Sequence, residues 1–275
     1  MNSAPKHRKL RRVLWFFGAL LLALFLGLRW LEPQLLFYPR TAAQDWVPIS
    51  RDFEEITLPN RTSALWCPLS ESQIVVLYCH GNYGNLSMRE DWIRAMQRHL
   101  RTSVLIFDPP GYGKTPGQPS EKGCYNSAEA AFGWLETQGW KDEQIVLWGK
   151  SLGGGMATEM ALRHPKIRAL ILLDTFSSVP DAANVSLGVP VGFVARNRFD
   201  NAAKVGKIGA PKIIIGGEND TMCPPWMTRK LSEAALEPKS VRVLRGRNHA
   251  DPLGETDWKW LSNELRRLSA SNHEI

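Results

Sequence analysis

The chain has 275 residues, enough for one large α/β domain with a sizeable core or for two small ones, and the lack of an internal repeat or of a low-complexity linker near the middle favours one. Its formal net charge of +7 is gathered at one end. Lys6, Arg8, Lys9, Arg11, Arg12 and Arg29 stand in or beside the N-terminal segment, and setting them aside leaves 28 basic against 27 acidic residues, so nucleic-acid binding, which needs a basic stripe on the folded domain, loses its main support.

Val13 to Leu28 is a run of sixteen residues without a charge, and with Arg29, Trp30 and Leu31 it reaches nineteen. At about 1.5 Å per residue such a helix spans most of a hydrocarbon core of roughly 30 Å, with Arg29 able to snorkel and Trp15 and Trp30 at the interfaces. A cleaved signal peptide shares the basic start, but the run is long for one and no A-x-A-like site follows it. No face of the segment is polar, which disfavours a buried soluble helix. The expectation is a signal-anchor helix over residues 13–31. Five Lys/Arg before it and few just after predict a cytoplasmic tail, residues 1–12, and a domain on the extracytoplasmic side, periplasmic or luminal. Residues 32–51, with Pro33, Pro39 and Pro48 among Phe37, Tyr38 and Trp46, read as an extended connector close to the bilayer.

The domain, residues 52–275, opens with Phe53 to Leu58 and Ser63 to Leu69, an antiparallel pair at a sheet edge. Ile74 to Cys79 is wholly apolar and central. Helices and strands then alternate as a mostly parallel sheet with crossover helices requires. Helix Asn85 to Leu100 leads to strand Ser103 to Phe107, Glu121 to Thr137 to Ile145 to Trp148, and Leu152 to Arg163 to Ala169 to Leu173. Strand Lys212 to Ile215, helix Pro225 to Leu236, strand Ser240 to Leu244 and helix Glu255 to Leu268 complete the pattern. Residues 175–209 lack a clear period and read as a lid.

Cys67, Cys79, Cys124 and Cys223 have no C-x-x-C spacing, so neither a zinc site nor a dithiol motif is expected, although one pair could bridge in an oxidising compartment. Cys79, ending a strand, reads as a small buried hydrophobe. N-x-S/T patterns at Asn60, Asn85, Asn184 and Asn219 include loops near the expected site, where glycans would obstruct it, which favours a cell without that modification there. Gly113-Lys114-Thr115 resembles the end of a P-loop, but Asp108 stands where its first glycine belongs, so nucleotide binding is not expected.

The chemistry centres on Gly149-Lys150-Ser151-Leu152-Gly153, a G-x-S-x-G turn between strand and helix, where a serine hydroxyl clears the sheet edge. A serine needs a base and a carboxylate that fixes the base's tautomer. In parallel sheets such groups gather past the carboxyl ends of strands. Asp220 follows one strand and His249 another, in the order Ser151, Asp220, His249. Glu218 is close by, Asp220 could instead initiate the helix at Pro225, and Asp174 is the alternative acid. His7 lies in the tail, His99 and His164 end helices, and His273 is terminal, which leaves His80 and His249 after strands. His80 belongs to His80-Gly81-Asn82-Tyr83-Gly84-Asn85, a turn that could present the N–H of Asn82 or Tyr83 to a developing oxyanion beside that of Leu152, with His80 bracing the loop.

H-G-N-Y-G-N, D-P-P-G-Y-G-K-T-P-G-Q-P-S-E, G-K-S-L-G-G-G, G-G-E-N-D-T-M-C-P and N-H together resemble the α/β-hydrolase family over about residues 50 to 270. More narrowly, they are similar to its membrane-anchored serine hydrolases, the lysophospholipase, monoacylglycerol lipase-like and depalmitoylase-like group. The resemblance implies an α/β-hydrolase fold with Ser151 as nucleophile, Asp220 as acid, His249 as base and backbone oxyanion donors at Asn82 or Tyr83 and Leu152. No cofactor or metal is expected. The implied activity is cleavage of a carboxylic ester or thioester through an acyl-serine, on an acyl lipid or lipidated substrate, given the apolar lid residues Val185, Leu187, Val189, Val191, Phe193 and Val194. The same triad would serve a peptidase, an amidase or an acyltransferase. A non-catalytic binding protein is the alternative of another class, although such proteins typically lose a triad member and all three are present.

Overall fold

The computed structural model describes residues 4–270. The first three residues of the expected tail and the last five of the expected domain, His273 among them, lie outside the described residues. In chain order the elements are α1 (Ala4–Leu36), β1 (Tyr38–Pro39), β2 (Glu54–Thr57), β3 (Ser63–Cys67), β4 (Val75–Cys79), β5 (Tyr83–Gly84), α2 (Glu90–Leu100), β6 (Ser103–Phe107) and α3 (Glu121–Thr137). There follow β7 (Ile145–Lys150), α4 (Gly153–Arg163), β8 (Ala169–Leu173), α5 (Val179–Leu187), α6 (Asn201–Val205), β9 (Lys212–Gly217), α7 (Pro225–Ala234), β10 (Lys239–Leu244) and α8 (Glu255–Ala270).

Eight strands form one sheet in the order β10-β9-β8-β7-β4-β6-β3-β2. From β10 to β6 every pairing is parallel, while β3 runs antiparallel to β6 and β2 antiparallel to β3 at the edge. The central strands are apolar throughout because both faces are covered. In β4, Val75, Leu77 and Cys79 enter one core and Val76 and Tyr78 the other, as the two-residue side-chain period dictates. The consequence for function is positional. Strands β4, β7, β8, β9 and β10 all end on the same edge.

Several boundaries differ from the sequence reading. Helix α1 runs on through Pro33 to Leu36, past the expected start of the connector, because its last turns are bonded to the domain. By length and composition Lys9–Leu36 could cross a membrane. The connector is not free chain: β1 pairs in parallel with β5, inside the His80–Asn85 motif. Asn85 does not begin a long helix but caps a single 3-10 turn, Leu86–Met88, ahead of α2. The lid segment is not aperiodic. It contains α5, a 3-10 turn at Gly192–Val194 and α6. Ser178 caps α5 by accepting from the Asp181 N–H, and Gly188, at φ +66°, terminates it.

Candidate active site

Strand β7 delivers the chain into the G-x-S-x-G turn and α4 takes it away. Ser151 sits at φ +52°, a left-handed conformation that an L-residue holds only under constraint, and its N–H donates to the Leu173 carbonyl at 3.0 Å. The flanking glycines are required by close approach. A Cβ on Gly149 would lie 2.4 Å from the Gly154 Cα, and one on Gly153 would lie 1.8 Å from the Cys79 carbonyl oxygen. Only glycine lets α4 start so near β4 and β7.

Two loops on the same edge complete the arrangement. His249 Nε2 is 3.0 Å from Ser151 Oγ, and His249 Nδ1 is 2.7 Å from Asp220 Oδ2. The carboxylate can only accept, so Nδ1 carries the proton and Nε2 is left to accept from the serine hydroxyl. Asp220 is buried, and its other oxygen accepts the N–H groups of Met222 (2.9 Å) and Cys223 (2.7 Å). Those bonds fix the carboxylate's rotation toward the imidazole.

Asp174, the alternative acid, is engaged elsewhere. It is fully buried at the end of β8, Oδ2 accepting from Lys150 Nζ at 2.9 Å and Oδ1 from Arg247 Nη1 at 2.6 Å. Lys150 also donates to the His249 carbonyl at 2.9 Å, and Arg247 Nη2 to the Asp251 carbonyl at 2.5 Å. This network around the histidine loop is absent from the sequence reading.

Across from the histidine stands the turn after β4. His80 has Nε2 3.1 Å from Asp108 Oδ1 and Nδ1 2.7 Å from the Gly81 carbonyl, and Asp108 also accepts the Leu86 N–H at 2.8 Å. Burial raises the Asp108 carboxyl above the usual range, opposed chiefly by its hydrogen bond with His80. The Asn82 carbonyl accepts from Tyr112 Oη at 2.8 Å and from the Tyr38 N–H at 3.1 Å. Among the described residues nothing accepts from the N–H of Asn82 or of Leu152, and both residues border one cavity with Ser151. Tyr83, the other sequence candidate, lies in β5, is exposed and does not border that cavity.

The cavity has a volume of about 350 Å³ and is walled by Phe176, Val179 and Val194 on the lid side and by Leu28 and Leu36 of α1 on the other. Asp220, Cys223 and His249 place potential ligand atoms within 4.8 Å of one another. Two of these already bond each other, and burial raises the Cys223 thiol well above its ordinary value, which leaves it a poor ligand. All four cysteines are buried and unpaired.

Residues 74–208 match the family model described as the alpha/beta hydrolase fold. The chain is 33% identical over 233 residues to the Mycobacterium tuberculosis protein Rv2307c, covering 81% of this chain and 82% of that one. The chain belongs to the α/β-hydrolase family. A second relative within the family range is bem46 of Schizosaccharomyces pombe, 30% identical over 224 residues, with 73% of this chain and 74% of the relative covered. Among solved structures, the Pyrococcus furiosus esterase Pf2001 superposes with a TM-score of 0.65 at 18% identity, over 84% of this chain and 97% of that one, which shows the shared α/β-hydrolase fold.

Proposed function

We propose that this α/β-hydrolase is a membrane-anchored serine hydrolase that cleaves carboxylic esters or thioesters of acyl lipids or lipidated molecules. The observation that carries the reading is the hydrogen-bonded series Ser151 Oγ, His249 Nε2, His249 Nδ1, Asp220 Oδ2, with spacings of 3.0 and 2.7 Å. Ser151 Oγ attacks the substrate carbonyl as its proton passes to His249 Nε2, and Asp220 stabilises the resulting imidazolium. Negative charge on the carbonyl oxygen is received by the N–H groups of Leu152 and Asn82. Collapse of the tetrahedral species breaks the bond to the leaving oxygen or sulfur, which takes the proton from His249 and leaves an acyl-serine. Water, deprotonated by His249, then releases the acid and restores Ser151.

The apolar cavity beside Ser151 supports an acyl substrate, and a fold neighbour that is itself an esterase, the Pyrococcus furiosus protein, supports ester cleavage. The length and hydropathy of Lys9–Leu36 support an anchor that holds the domain at lipid, and the basic residues ahead of it support a cytoplasmic N-terminus with an extracytoplasmic domain.

The test is labelling by a fluorophosphonate probe in membranes. Wild type is expected to label, and Ser151→Ala and His249→Ala to lose the signal. Labelling that survives in Ser151→Ala would remove this serine from the mechanism, and folded wild type that does not label would overturn the reading.

A further inference from the structure

Helix α1 does not stop short of the domain. In its second half Phe25, Leu28, Arg29, Glu32 and Leu36 are shielded by the protein, whereas Leu24, Leu26 and Trp30 are exposed. Their spacing of three and four residues is one helical face. Leu28, Glu32 and Leu36 on that face border the cavity that holds Ser151.

Two sets of hydrogen bonds keep the face in place. The buried Glu32 carboxylate accepts the Asn197 N–H at 3.0 Å and Asn197 Nδ2 at 3.1 Å on both oxygens. Asn197 in turn accepts the N–H of Glu121, at the start of α3, at 2.7 Å. At the last turn the Leu36 carbonyl accepts from Asn82 Nδ2 at 3.0 Å. A buried carboxylate in an apolar helix is costly unless it is bonded in this way. The helix is therefore tied both to the return limb of the lid and to the turn that carries the Asn82 N–H.

On the far side of the cavity α5 leads into the 3-10 turn at Gly192–Val194, which packs against α1. Here Leu187, Val189 and Phe193 are 48%, 50% and 74% exposed. Leu187 borders the cavity, and the turn that carries Phe193 packs on α1, so exposed apolar side chains of the lid stand beside the apolar helix.

We propose that the final turns of α1 form the acyl-chain subsite of the enzyme, taking one unbranched acyl chain that enters from the lipid side between α1 and α5. The proposal rests on the reading of Ser151 as nucleophile and adds where the substrate's chain lies. A helix that crosses the bilayer and continues as the wall of the cavity gives a chain an apolar path from lipid to Ser151. A path through water would expose each methylene of the chain at a cost in free energy. The cavity volume of about 350 Å³ is near the lower end of the ligand-site range. At roughly 30 Å³ for a water-sized group it holds on the order of ten carbons, one chain rather than two.

The experiment compares full-length wild type, Leu28→Trp and Leu21→Trp in detergent micelles, with p-nitrophenyl acetate and p-nitrophenyl decanoate as substrates. Leu21 lies on the same helix away from the cavity and serves as the control. The decanoate-to-acetate ratio of kcat/KM is expected to fall about 10-fold or more in Leu28→Trp, because the indole fills the chain's space, and to stay at the wild-type value in Leu21→Trp. Leu28→Ala, which removes volume instead, is expected to move the preferred chain length upward. Equal ratios in wild type, Leu28→Trp and Leu28→Ala would overturn the subsite while leaving the serine hydrolase standing. Wild type that hydrolyses neither ester and fails to label with a fluorophosphonate would overturn both.

Discussion

The Lys150 ammonium lies 2.9 Å from the backbone carbonyl oxygen of His249, the residue whose ring faces Ser151. Lys150 is the first variable position of G-x-S-x-G, so one five-residue turn carries Ser151 and also holds the loop of His249, its proposed base. The buried Asp174 carboxylate completes the tie by joining Lys150 to Arg247, which stands two residues before His249. These are positioning interactions. Lys150→Met is expected to lower kcat by about 10- to 100-fold with little change in KM, because a displacement of the proposed base, His249, on the order of 1 Å disturbs proton transfer more than substrate binding. Lys150→Arg should recover part of the loss. Steady-state kinetics on a short-chain ester decides it, and a change confined to KM would show that Lys150 acts on substrate instead.

A different kind of constraint operates at Gly153. Its missing Cβ is what allows α4 to begin against the Cys79 carbonyl, at a separation where an added carbon would stand 1.8 Å from the oxygen. The obstacle is backbone of the central strand and cannot swing aside. Gly153→Ala is expected to destabilise the domain by about 3 kcal/mol or more, at the upper end of overpacking effects. At roughly 2–4 °C per kcal/mol that is a fall in Tm of about 6–12 °C. Gly209→Ala is the control, since a Cβ there meets nothing within 4 Å. Thermal melts of the two variants that coincide would refute the packing argument.

The sheet and the three proposed triad residues are legible in the sequence for one physical reason. Runs such as Val75–Cys79 and Ile145–Trp148 are apolar at every position because they are covered on both faces, and parallel strands end on one edge, so residues just past their ends converge. Helix α5 is missed by the sequence reading although Ser178, Pro180, Asp181 and Gly188 are cap signals, because the segment's apolar residues divide between a cavity and an exposed face, which blurs its period. The Lys150–Asp174–Arg247 network and the Glu32–Asn197 bonds are not legible. They join residues 24, 73 and 165 positions apart, and nothing local separates Arg247 or Glu32 from ordinary surface charges. Pro33 reads as a helix stop by propensity, whereas the bonds of Glu32 and Leu36 to the domain keep that turn helical.

Lys212 supplies a test of the fold that is independent of catalysis. It opens β9 fully buried, donating to the Ile208 carbonyl at 2.7 Å and the Ala210 carbonyl at 2.6 Å, and burial pushes its ammonium down from 10.5 to about 8. In the unfolded chain the amine regains its ordinary value. Between about pH 8 and pH 10.5 the unfolded state therefore holds the extra proton, and the lysine's contribution to stability rises with pH through that window. Below it both states are protonated and the cost of burying the charge is fully present. Lys212→Met removes this titration. The stability of wild type relative to the variant is expected to increase from about pH 7.5 to pH 10, by at most about 1.4 kcal/mol per pH unit. Denaturant unfolding of both proteins across that range measures it. Subtracting one curve from the other cancels the remaining lysines and tyrosines, and a flat difference would mean that Lys212 titrates in the folded protein as it does in the open chain.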